Sequence, residues 1–158
     1  DRAAGVRFLR TLPFVDPRRI GIFGWSYGGY MVVMAMAKEP GLFQAGASVA
    51  PVTDYRLYDT HYTERYLGHP RDNGAGYEAT SVFPYLDGLQ GPLLVIHGMA
   101  DDNVLFTNST RLFKELQDRV IPFEMMTYPG KKHSITGKET RTHLFETVTR
   151  FMDRHLKE

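Results

Sequence analysis

The sequence has 158 residues, of which 42% are hydrophobic and 23% charged, the balance of an ordinary globular domain rather than a disordered segment. With 19 basic and 18 acidic residues the net charge is +1, so the chain carries no electrostatic footprint for nucleic acid or anionic lipid. The absence of cysteine excludes thiol nucleophiles, thiolate zinc sites, iron–sulfur clusters and disulfides.

The elements follow in chain order. Residues 2–12 read as a helix with no strand in front of them. Residues 19–24 (RIGIFG) are short, branched and bounded by Pro17 and Gly24, which predicts a buried strand. A small-residue and Met-rich helix is expected over Tyr27 to Lys38, ended by Pro40-Gly41. Its Met31, Met34 and Met36 read as core filling. The apolar run Met31 to Ala37 falls far short of the ~20 residues a membrane helix needs.

A second strand is predicted over residues 43–50, followed by an aromatic, polar stretch to Gly76 with a helical turn near residues 63–67. Residues 81–86 suggest a short helix whose regularity Pro84 limits. Residues 92–98 (PLLVIHG) form the clearest buried strand. Leu112, Phe113, Leu116 and Val120 make a helical stripe over residues 106–120, and residues 122–128 give a fourth strand. Leu144, Phe145, Val148, Phe151, Met152 and Leu156 mark a long amphipathic last helix. A helix followed by about four strand–helix repeats calls for a parallel sheet with helices on both faces.

Gly24-Trp25-Ser26-Tyr27-Gly28 fits G-x-S-x-G between a predicted strand and a predicted helix, the context that makes this pattern a nucleophile elbow. The glycines two residues to either side would remove Cβ atoms that collide in the tight turn. The following helix N-terminus offers free amides to an oxyanion, the Tyr27 N–H first among them.

A serine nucleophile needs a base and the base an orienter, in the chain order serine, acid, histidine for this architecture. His133 lies in a loop just past the fourth strand, whereas His97 reads as a packed core group. His143 and His155 fall on the last helix, and His61 and His69 in the aromatic stretch. Asp101 and Asp102 follow the third strand, and spacing does not choose between them. Asp54, Asp59 and Asp87 are weaker orienters. Tyr55, Tyr58, Tyr62 and Tyr66 recur every three or four residues, which puts them on one face able to wall an apolar pocket. No metal-ligand or phosphate-loop motif competes, so no cofactor is expected.

Taken together, the blocks from Gly24 to Tyr30, from Tyr62 to Tyr66 and from His97 to Val104 resemble dipeptidyl peptidase IV-like enzymes of the prolyl oligopeptidase family, bacterial members above all. The resemblance runs the length of the chain and implies the C-terminal half of an α/β-hydrolase fold. The rest of that domain and a β-propeller are expected to be absent from this chain. By the same likeness Ser26 is the nucleophile, Asp101 the orienter and His133 the base. Asn103 would hold a substrate carbonyl, and Tyr27, Val52, Tyr55, Tyr58, Tyr62 and Val104 would wall a pocket for proline.

The implied substrate is a peptide with proline or alanine second, and the implied compartment periplasmic or extracellular. No apolar leader opens the chain, which alone would suggest a cytoplasmic protein or a lost front end. The resemblance also implies that an oxyanion-hole tyrosine and the glutamates that bind a substrate's amino group lie in the absent parts. Ser134 stands where the family more often has glycine. Alternatives are an acylaminoacyl peptidase or esterase of the same superfamily, or a silent chain that self-associates through the open edge of its first strand.

Overall fold

The computed structural model describes residues 2–157. In chain order the elements are α1 (Arg2–Leu9), β1 (Gly21–Trp25), α2 (Tyr27–Lys38), β2 (Ala45–Val49), α3 (Thr60–Leu67), α4 (Gly74–Thr80), β3 (Leu93–Gly98), α5 (Thr107–Asp118), β4 (Glu124–Tyr128) and α6 (Lys138–Leu156). Two 3-10 turns, Tyr55–Leu57 and Phe83–Gly88, sit between β2 and β3. Among the described residues, no helix is long and apolar enough to cross a membrane.

The four strands are parallel and lie in the order β1-β2-β3-β4. Each crossover therefore steps the same way across the sheet. Right-handed crossovers then deliver every connecting helix to one face, and only the helix after the last strand is left for the other. The core divides accordingly. Leu93 and Val95 pack with Val32, Val33 and Met36 of α2 and with Leu112 and Leu116 of α5. Leu94 and Ile96 point the opposite way, with Ala45, Ala47 and Val49, onto Leu144, Val148 and Phe151 of α6. This period-two alternation along a strand buried on both faces is why residues 93–98 read as an uninterrupted apolar run. Met34 and Met36 are buried in the core, as their pattern suggests.

Small residues set how closely the layers approach. An ideal Cβ on Gly46 would lie 2.1 Å from the Met36 sulfur, so α2 rests on β2 at a distance only glycine permits. The strands are shorter than their apolar runs. β1 begins at Gly21 rather than residue 19, and β2 covers Ala45–Val49 rather than 43–50. The first helix stops at Leu9, and α6 starts at Lys138, six residues before the first apolar residue of its stripe, because its first turns face solvent. Helix α4 has no sequence signal: Gly-Ala-Gly carries neither propensity nor periodicity, and the helix forms where Asn73 caps it through the Gly76 amide.

Helix α5 ends two residues before the sequence pattern does. The Ile121 amide bonds the Leu116 carbonyl (2.8 Å) and the Val120 amide the Gln117 carbonyl (3.0 Å), the two bonds of a Schellman stop. Val120 occupies the left-handed position of that stop, at φ 56°, and is 87% exposed. A β-branched residue is strained there and gains nothing from burial. Val120→Gly is expected to raise unfolding stability by about 1 kcal/mol, read as a higher urea midpoint at unchanged slope.

Candidate active site

Ser26 stands between β1 and α2 with φ 59° and ψ −120°, a left-handed conformation that a non-glycine residue adopts only when its surroundings enforce it. The enforcing contacts are visible. The Ser26 amide bonds the Val49 carbonyl at 2.8 Å, and the Tyr30 amide returns to the Ser26 carbonyl at 3.0 Å. A Cβ on Gly24 would lie 2.2 Å from the Gly28 carbonyl oxygen, and one on Gly29 would lie 2.6 Å from the Val49 carbonyl oxygen. A Cβ on Gly28 would meet nothing within 4 Å. The steric constraint expected at Gly24 and Gly28 therefore falls on Gly24 and Gly29 instead. Tyr27 opens α2, where first-turn amides have no partner within the helix, so its N–H is free to serve an oxyanion.

The acid loop resolves what spacing left open. Asp101 is 5% exposed, and its Oδ2 lies 2.8 Å from His133 Nδ1. Its Oδ1 accepts the Asn103 and Val104 amides, each at 3.0 Å. Asp102 points outward and pairs with Lys132, whose ammonium holds its carboxyl below the usual range. The other aspartates are engaged elsewhere. Asp54 caps the first 3-10 turn and pairs with Arg56, Asp59 caps α3, and Asp87 pairs with Arg119.

The histidine loop is fixed from two sides. The Trp25 indole N–H donates to the His133 carbonyl at 3.0 Å, which ties the loop to the residue before Ser26. Gly98 lets the Lys131 backbone approach, since a Cβ there would lie 2.3 Å from the Lys131 oxygen. Ser134 keeps a negative φ, and the non-glycine left-handed residue of the loop is the buried Ile135, at φ 42°. A serine after the histidine is thus unstrained.

Beside the elbow lies a cavity of about 270 Å³ lined by Tyr27, Tyr30, Tyr55, Tyr62, Thr63, Tyr66, Leu67 and Thr80. The rings interlock: Tyr30 meets Tyr55 edge-on at 5.4 Å, and Tyr62 meets Tyr66 at 4.9 Å. Burial, with Tyr30 nearby, pushes the Tyr55 hydroxyl well above the ordinary phenol range, so it stays protonated. Tyr58 turns away and its hydroxyl donates to Asn103 Oδ1 at 3.0 Å. Val52 and Val104 are buried in the core beneath. The structure thus gathers Tyr27, Tyr55 and Tyr62 on the cavity, with Tyr58 and Asn103 paired next to it. It adds Tyr30, whose place on α2 gave no hint of a pocket role.

A model of the prolyl oligopeptidase family matches residues 1–158. Inactive dipeptidyl peptidase 10 of Mus musculus is 38% identical over all of this chain and 20% of that protein. Dipeptidyl peptidase 4 of Bos taurus is 37% identical over 96% of this chain and 20% of that protein. Among solved structures, Porphyromonas gingivalis dipeptidyl peptidase 4 superposes with a TM-score of 0.95 at 44% identity, over 99% of this chain and 22% of that one. The chain spans about a fifth of the length of the curated relatives it matches. An inactive protein stands among them, so overall likeness does not separate active from silent members.

The glycine geometry yields a test. Gly28→Ala is expected to fold as wild type or melt slightly higher, since it adds helix propensity in open space. Gly24→Ala and Gly29→Ala should each cost more than about 2 kcal/mol, read by thermal melting, because backbone must move to admit the methyl. Equal melting temperatures for all three would contradict the steric assignment.

Proposed function

Because this chain belongs to the prolyl oligopeptidase family of serine peptidases, we propose that Ser26, His133 and Asp101 act together as a nucleophile, base and orienter on peptide substrates. The observation that carries this reading is the 2.8 Å contact between Asp101 and His133 Nδ1, in a loop tied through the Trp25 indole to the strained serine elbow. A carboxylate can only accept, so Nδ1 carries the hydrogen and Nε2 is left as the basic nitrogen for the serine proton. Ser26 Oγ attacks the scissile carbonyl while Nε2 takes its proton, then returns it to the leaving amine. The oxyanion forms at the start of α2, where the Tyr27 amide donates and the helix dipole favours negative charge.

The tyrosine cavity supports a small, rigid side chain next to the scissile bond. Proline presents flat faces that stack on aromatic rings with little entropy to lose, and alanine fits the same space. We therefore assign the site to release of N-terminal dipeptides ending in proline or alanine. We assign Asn103, whose Oδ1 accepts the Tyr58 hydroxyl, to donate its amide N–H to a substrate carbonyl. The 158 residues alone are expected to show acyl chemistry at Ser26 but less than full dipeptidyl peptidase activity.

A fluorophosphonate probe tests the nucleophile. The wild-type chain should be labelled and Ser26→Ala should not. His133→Ala and Asp101→Asn should be labelled about 10³-fold or more slowly, since each removes a group that acts with the serine as a unit. Labelling that survives in Ser26→Ala would exclude this serine; an unlabelled wild type would favour the silent reading.

One observation favours association as a second property. Among the described strands, β1 bonds only to β2, which leaves a row of amides and carbonyls on its other side. Phe23 on β1 is 46% exposed and its ring lies 6.4 Å from that of the half-exposed Phe145. We propose that a second copy of the chain pairs at this edge. Light scattering should find dimers or larger species; a monodisperse monomer would overturn this.

A further inference from the structure

We propose that His97 is a positioning residue for the catalytic group: its Nε2–H holds the outer oxygen of Asp101, so that the carboxylate meets the His133 ring in one orientation. This rests on the serine-peptidase reading of the site. By sequence His97 is a core histidine at the end of a strand, and it is indeed fully buried. Its surroundings on the α5 side of β3 are nevertheless polar and specific.

His97 Nε2 lies 3.0 Å from Asp101 Oδ2 and 2.9 Å from the Val104 carbonyl oxygen. Both are acceptors, so Nε2 must carry the hydrogen. His97 Nδ1 lies 2.7 Å from Ser109 Oγ and then accepts the serine hydroxyl. One tautomer satisfies all three contacts. The ring is neutral as well: burial pushes His97 below the ordinary histidine value, against the opposing pull of Val104 and Asp101. Phe106 closes the remaining side edge-on, with ring centroids 5.5 Å apart.

Two amides fix Oδ1, and a carboxylate held at one oxygen still rotates about its Cα-side bonds. The second point of attachment is Oδ2, which is shared between His97 and His133. A neutral N–H supplies that attachment without placing a second positive charge beside His133. It also draws electron density from Oδ2, which moderates the hold of Asp101 on a protonated His133. The titratable groups around this carboxylate are His97, His133 and Tyr58, with the Asp102–Lys132 pair at the loop rim.

The test combines labelling with spectroscopy on the chain as it stands. His97→Gln keeps an N–H near the Nε2 position, and its fluorophosphonate labelling should stay within about threefold of wild type. His97→Leu removes the donor and should slow labelling about tenfold to a hundredfold, the effect of losing one hydrogen bond to a charged group. In His97→Leu the pH of half-maximal labelling should also move upward, because the undrained carboxylate favours protonated His133. A purely structural role would lower stability in both variants without moving that pH. Equal slowing in the two variants, or an unmoved profile, overturns the proposal.

Nitrogen-edited NMR of the wild-type chain decides independently of reactivity and of whether His97→Leu folds. It should show His97 neutral and protonated at Nε2 at pH 7 and above. A ring protonated on Nδ1, or charged at neutral pH, overturns the proposal whether or not Ser26 reacts. An unlabelled wild type with the expected tautomer counts against the peptidase reading and leaves the His97 contacts in place.

Discussion

The site depends on one buried carboxylate. Asp101 accepts four hydrogen bonds, from the Asn103 and Val104 amides and from the imidazoles of His97 and His133. A carboxylate taken out of water is costly unless its lone pairs are filled. Filling them demands that the turn after β3 fold back on itself, that β3 carry a histidine just before its last residue, and that the loop after β4 arrive beside it. The arrangement of two neighbouring loops is thereby specified by one side chain. The sheet register makes it possible, because the parallel pairing of Gly98 with Tyr128 ends β3 and β4 at the same level.

The elbow is the second constraint, and it acts through backbone. Ser26 is held in a strained conformation by bonds to β2 and α2, and glycine is required where those segments touch. The two constraints meet at Trp25, whose indole bonds the His133 carbonyl. The serine turn and the histidine loop, over a hundred residues apart in sequence, are joined by that contact. Strain at the serine and full satisfaction at the aspartate are complementary. The rigid carboxylate network and the packed faces of the sheet hold the elbow in place.

The aromatic segment between β2 and β3 illustrates how a weakly patterned stretch becomes ordered. Asp54 caps its 3-10 turn and pairs with Arg56, which reaches Glu78 on α4. Thr53 bonds Asn108 of α5, and Tyr77 bonds the Gly68 carbonyl. The Thr53–Asn108 and Arg56–Glu78 ties are long-range in sequence and leave no periodic trace. They place Tyr55 next to Tyr30 and Tyr27, so a cavity forms from residues on four separate elements.

The sequence alone determined a parallel sheet of about four strands, the apolar runs of β1 to β4, the serine elbow and the loop position of His133. Each of these rests on local signals: runs of branched residues, glycine spacing, and a polar residue just past a strand end. Likeness to a family, rather than physics, favoured Asp101 over Asp102. Only the tertiary structure showed the reason, which is that Asp102 faces solvent and Lys132 whereas Asp101 is enclosed by four donors. Folding also moved the steric burden from Gly28 to Gly29, added Tyr30 to the cavity, and turned His97 from core filler into a partner of the acid. All of these depend on which segments meet in space. Hydrogen bonds and close approaches across strands are decided by the packing of layers, and local residue patterns do not encode them.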